Sequence, residues 1–178
     1  MSHQQLDNLV RIGQLKVEPA AAGELTGLVR SGIRRLDDAA RAELSLESRF
    51  DLAYNAAHAL ALAALRYRGY RSESRYLVFQ CLQHTIDLPQ QQWRVLDQAH
   101  RKRNLAEYEG EMDIDEQLVA ALLRVTREVA MRVSKLIASP RAPRRVLASN
   151  RRSDTALPGC HHDYFLDDFR SRFLRSRL

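Results

Sequence analysis

Residues 52–65 read LAYNAAHALALAAL, and this run constrains the fold more than any other part of the chain. It is apolar on nearly every side of a helix, with only Asn55 and His58 as strongly polar interruptions. At about 14 residues it falls short of the roughly 20 needed to cross a bilayer. A helix apolar all round has to be covered on all sides by protein, so this segment is expected at the centre of a helical bundle. Ser45 is placed to cap its start and Glu47 falls in the first turn, where a carboxylate suits the helix dipole. The full capping box is absent, because Ser48 stands where a Glu or Gln would complete it. Gly69 is a natural stop.

Helical spacing of apolar residues extends through the rest of residues 1–138. Leu6, Leu9, Val10 and Leu15 form a first pattern that ends near Val17 to Pro19. Pro19 can occupy the first turn of a second helix that carries Leu25, Leu28, Val29, Ile33 and Leu36. Beyond a turn at Ser72 to Ser74, Tyr76 to Ile86 predict one short fourth helix. A fifth begins near Pro89, carries Trp93, Leu96 and Ala99, and stops at Gly110. A sixth runs from Asp113 through Leu118, Leu122, Val125, Val129, Val133 and Ile137. The fold class expected is therefore all-α, an up-and-down bundle of five to six helices over residues 1–138, followed by a basic, flexible tail over 139–178. Hydrophobic residues make up 45% of the chain, with only seven Gly and five Pro, which suits ordered helices.

The formal charge of +6 is unevenly placed. Residues 1–138 hold 19 Lys and Arg against 18 Asp and Glu, whereas residues 139–178 hold 9 against 4. Basicity thus belongs to the tail, and nucleic-acid binding by the bundle requires a local patch. Phe165, Phe169 and Phe173 give the tail a possible short terminal helix. Cys81 and Cys160 do not form a disulfide framework, and the opening MSHQQLDNLVRIGQL lacks the marks of a secretory signal. A cytoplasmic location with no membrane span is expected. Cys160, His161, His162 and Asp163 are metal-ligating types, but adjacent residues cannot all face one ion, so no metal is expected there. His58 reads as a core histidine, and Trp93, Tyr67 and Tyr70 as core-edge aromatics. With no phosphate-binding glycine loop and no nucleophile elbow, no cofactor is expected.

The stretch HRKRNLAEYEGE, residues 100–111, does not read as packing. Offsets of three and four put His100, Arg103 and Glu107 on one helical face, with Asn104 and Tyr108 beside them. As plain helix surface, Arg103 and Glu107 would form an ion pair worth a few tenths of a kcal/mol, and Tyr108 would cover the core edge. The order Arg103, Asn104, then an aromatic at Tyr108, on a late helix of a small bundle, resembles the HEPN superfamily. The helix SRFDLAYNAAHALALAALRYRGYR is similar to the long central helix of such proteins.

That resemblance covers residues 1–138. It implies a helical bundle that pairs as a homodimer and acts in one of two ways. One is a metal-independent ribonuclease of toxin–antitoxin or defence systems; the other is a non-catalytic module that binds RNA, a nucleotidyltransferase or an antitoxin partner. Arg103 would hold the scissile phosphate and Asn104 would orient it. The family's histidine position falls on Tyr108, which at a reference pKa near 10 is a poor base at neutral pH. His100, one turn before Arg103, is the substitute at hand. By position, Tyr108 is also a candidate acceptor of AMP from a nucleotidyltransferase. Pairing would bring together two copies of Arg101, Lys102 and Arg103 as a nucleic-acid-binding patch. The alternative is a non-catalytic helical protein-interaction module with an electrostatic, Arg-rich tail.

Overall fold

A computed structural model describes residues 2–109 and 114–138, with side chains from 4 to 106 and from 114. They lie in one compact unit, Met1–Ser139. The helices are α1 (Ser2–Arg11), α2 (Glu24–Ala39), α3 (Leu46–Tyr67), α4 (Arg75–Gln80), α5 (Leu82–Thr85), α6 (Gln90–Glu109) and α7 (Glu116–Ala138). Two short strands, β1 (Lys16–Val17) and β2 (Tyr70–Arg71), pair antiparallel, Lys16 opposite Arg71 and Val17 opposite Tyr70. The expected all-α bundle is thus what these residues form. No helix among them is long and apolar enough to cross a membrane.

The apolar run lies at the centre. Phe50, Ala53, Tyr54, Ala56, Ala57, Leu60, Ala63, Ala64 and Leu65 are all fully buried, and α3 packs against α2 on one side and α7 on another. Its many alanines keep the helix thin, so neighbouring backbones come close. A Cβ added at Gly32 of α2 would stand 2.8 Å from Leu60 Cγ and 3.3 Å from the Ala56 carbonyl oxygen. Ser45 caps α3 as expected, its Oγ accepting from the Ser48 amide at 3.3 Å. Gly69, at φ 83°, ends the helix in the left-handed region.

The start of α2 differs from expectation. Pro19 does not begin a helix; α2 begins at Glu24. The cause is Arg66, the last-turn arginine of α3, whose side chain is only 3% exposed. Its Nε and Nη2 donate to the two Glu24 carboxylate oxygens at 2.6 and 3.0 Å. Nη1 and Nη2 donate to the carbonyls of Glu18 and Pro19 at 2.8 and 3.0 Å. Those carbonyls face inward and cannot accept helical bonds. Glu24 also accepts from the Ala21 amide at 2.9 Å, closing the turn before the helix. The guanidinium holds the Glu24 carboxyl below its ordinary range, and the hydrogen bond from Arg71, with Arg66 adding to it, does the same for Glu18.

The expected fourth helix is divided. α4 is capped by Ser74, and the chain breaks at Cys81 before the single turn of α5. Arg68 donates to the Thr85 carbonyl at 3.0 Å, and Arg132 of α7 donates to those of Ile86 and Asp87 at 3.2 and 3.0 Å. These side chains satisfy the carbonyls left open where α5 ends. Asp87 sits at φ 52°, which turns the chain into Leu88 and Pro89. The Cys81 thiol is buried and pushed up to about 12 by loss of solvent, which makes it inert. The expected stop at Gly110 and start at Asp113 lie outside the described residues. α7 begins with Asp115 capping the Leu118 amide at 2.6 Å.

Two stability outcomes follow from these contacts. Gly32→Ala should cost about 1–3 kcal/mol of unfolding free energy, because Leu60 is fully buried and has nowhere to move. Arg66→Met should cost about 3 kcal/mol at pH 7. The part of that difference due to the lowered Glu24 pKa is complete above pH 4.5, the ordinary value, and disappears as pH falls through the lowered folded value. Denaturant melts across pH 3 to 7 measure both.

Candidate functional site

The side chains of His100, Arg103 and Asn104 leave α6 at offsets of three and four and meet the N-terminal half of α3 and the helix α4. Their meeting point is Tyr54. Its phenol is hydrogen-bonded to His100 Nδ1 at 2.8 Å, and the Asn104 amide nitrogen donates to His100 Nε2 at 3.1 Å. A neutral imidazole that accepts at Nε2 carries its proton on Nδ1, so His100 donates to the phenol oxygen. The ring is also stacked on Tyr76 at 5.4 Å and meets the edge of Phe79 at 6.4 Å.

Arg103 crosses the other part of Tyr54. Its guanidinium carbon is 5.1 Å from the ring centroid, a cation–π contact. Its Nε lies 3.8 Å from Asp51 Oδ1 on α3, an ion pair wider than a hydrogen bond. The Arg103 side chain stays 24% exposed and Asp51 46% exposed, although the two facing atoms, Nε and Oδ1, are themselves buried. Asn55, one turn beyond Asp51, donates to the Asp51 carbonyl and accepts from Arg75 Nη1 at 3.3 Å.

The other residues expected at the site fall into two groups. Arg101 pairs along α6 with Asp97 at 3.0 Å and is 75% exposed, while Lys102 is half-buried. Tyr108 lies in the last turn of α6, but its side chain and that of Glu107 are outside the described residues. Arg103 faces Asp51 of α3; the expected pair with Glu107 lies outside the described side chains. The tail residues, Cys160 to Asp163 and the three phenylalanines included, also lie outside the described residues. Among the described residues, no three His, Cys, Asp or Glu side chains are grouped to hold a metal ion.

Asp51, Tyr54, Asn55, Arg75 and Tyr76 were not legible as site residues. Tyr54 is the one with a signal, since a phenol inside an apolar helix needs a hydrogen-bond partner. Nothing in the sequence says that the partner is His100, 46 residues on.

His58, two turns along α3 from Asp51, packs against the edge of Phe79. Burial is the main reason its pKa falls from 6.5 to about 4, with the positive charges of Arg75 and Arg103 adding to it. It is therefore neutral at physiological pH. An unfolded histidine takes up its proton near pH 6.5 and the folded one only near 4, so stability should fall as pH drops across that window. A proton-resonance titration should show His58 unmoved above pH 5, and His58→Gln should flatten the pH dependence of stability between 6.5 and 4. No protein-family model matches this chain, and neither the curated proteins nor the solved structures hold a significant match to it.

Proposed function

We propose that this chain is an HEPN-like helical protein that pairs as a homodimer and binds RNA through the surface centred on Arg103. The observation that carries this reading is the state of Arg103. Its guanidinium is pre-positioned over the Tyr54 ring, on a side chain that is 24% exposed, and faces a carboxylate at 3.8 Å that an incoming phosphate can replace. Asn104 beside it is fixed by His100 and offers a second polar group at the same edge. Two-fold pairing would add Arg101 and Lys102 from each copy to this patch.

The same contacts favour binding over cleavage as the primary role. Both ring nitrogens of His100 are engaged, one by Tyr54 and one by Asn104. Such a ring positions its neighbours and is poorly placed to take a proton from a ribose hydroxyl. Metal-independent cleavage would then rest on Tyr108 as a proton donor. A nucleotidyltransferase or antitoxin partner, and a place in a toxin–antitoxin or defence system, belong to the same reading. A bland reading also has an observation behind it, because the stack on Tyr54 could serve packing alone.

The test is incubation of purified full-length protein with total RNA in EDTA, with binding measured in parallel and Arg103→Ala and Tyr108→Phe alongside. Arg103→Ala should lose RNA binding by about tenfold or more while keeping a cooperative melt. Cleavage that disappears in both variants would make the protein a ribonuclease. Binding without cleavage would make the site a recognition surface. An Arg103→Ala chain that unfolds, or one that binds as wild type does, would remove the site.

A further inference from the structure

Arg75 and Arg103 come from different helices, α4 and α6, yet both reach the same face of α3. Arg103 meets Asp51 and Arg75 meets Asn55, positions one helical turn apart. Four residues of α-helix rise about 6 Å, so the two guanidiniums sit on adjacent rungs. Asn55 connects them, since it contacts the Asp51 carbonyl and the Arg75 side chain. Arg75 is exposed and its recorded anchor is a neutral amide at 3.3 Å, so most of its charge is open to a ligand.

The next residue, Tyr76, stacks on His100 and also forms part of the wall of a groove of about 440 Å³. That size lies within the roughly 300–1,000 Å³ of small-molecule sites. The groove runs between the turn after α1 and the start of α4, lined by Gln14, Lys16, Arg71, Ser72 and Gln80 as well. Its one carboxylate, Glu73, is paired with Lys16 at 2.7 Å, and Arg71 is paired with Glu18 at 2.8 Å, so the aromatic wall and the amides carry more of the recognition than the two cations do. An aromatic wall, two side-chain amides and two cations make a set suited to a nucleotide, with the base against the ring and the phosphate toward the arginines.

We propose that Arg75 is a second phosphate-binding residue, and that the groove behind Tyr76 takes the adjoining nucleotide of a single-stranded RNA held at Arg103. This deepens the RNA-binding reading and rests on it. The strand passes from Arg103 to Arg75 and turns its next base into the groove. A duplex, whose bases are paired and stacked, has none to insert.

The experiment is fluorescence-anisotropy binding of a labelled 12-nucleotide single-stranded RNA and of its duplex to the full chain, over a range of salt. Arg75→Ala should weaken single-strand binding about fourfold near 0.15 M salt and reduce the salt slope by about 0.7. Tyr76→Leu should weaken it roughly 5- to 100-fold. Because Tyr76 also supports His100, Gln80→Glu is the control that leaves packing intact; its added charge should cost about fivefold. The duplex should bind more weakly than the single strand. If binding depends on Arg103 while Arg75→Ala and Gln80→Glu match wild type, or if the duplex binds equally well, the track is wrong and the Arg103 reading survives. If the wild type binds no RNA, both fail and the face belongs to a protein partner.

Discussion

The closeness of α2 to α3 sets the rest of the bundle. Dispersion falls off steeply with separation, so a helix faced with alanine stabilises a fold only when its neighbours lie close enough to touch it. Gly32 allows that approach, with Leu60 and the Ala56 carbonyl occupying the space a side chain would need. Once α2 and α7 are seated, α3 has no free face along its middle, and its polar groups have to find partners within the protein. Arg66 at one end takes two glutamates and two carbonyls. Tyr54 toward the other takes His100 and Arg103.

These two polar centres answer one problem, the cost of removing charge and hydrogen-bonding groups from water, in different ways. Arg66 is nearly sealed and saturated, an arrangement that fixes chain path and leaves little to exchange. Arg103 lies over the Tyr54 ring, 3.8 Å from the Asp51 carboxylate, on a side chain that keeps a solvent edge. The two arginines thus differ in depth, one shut away from water and the other at its edge.

The central position of α3, its cap at Ser45 and its stop at Gly69 were legible because they depend on local periodicity and on the chemistry of single residues. Pro19 misled because a favourable first-turn residue lost to a guanidinium arriving from Arg66, 47 residues further along. The break at Cys81 was hidden because no glycine or proline between Gly69 and Pro89 marks it. At the site, the spacing of His100, Arg103 and Asn104 was readable on one helix. Asp51, Asn55 and Arg75 were not, because their relevance arises only where α3, α4 and α6 converge.

The groove behind Tyr76 has one wall on α4 and the other on the turn of Gly13 to Lys16. That turn ends α1 in a Schellman motif, Gln14 donating to the Leu9 carbonyl and Gly13 to that of Val10. Beyond it, residues 2–17 are fastened by the two-residue strand pair, the Tyr70 bond to Asp7, the packing of α1 on α5 and the burial of Leu6 and Leu15. Terminal segments are where the local opening equilibria of a fold generally cost least. Any molecule that bridges the two walls draws such an equilibrium toward the closed form by mass action. The N-terminal segment is therefore both a boundary of the groove and a part of the protein whose ordering reports on what the groove contains.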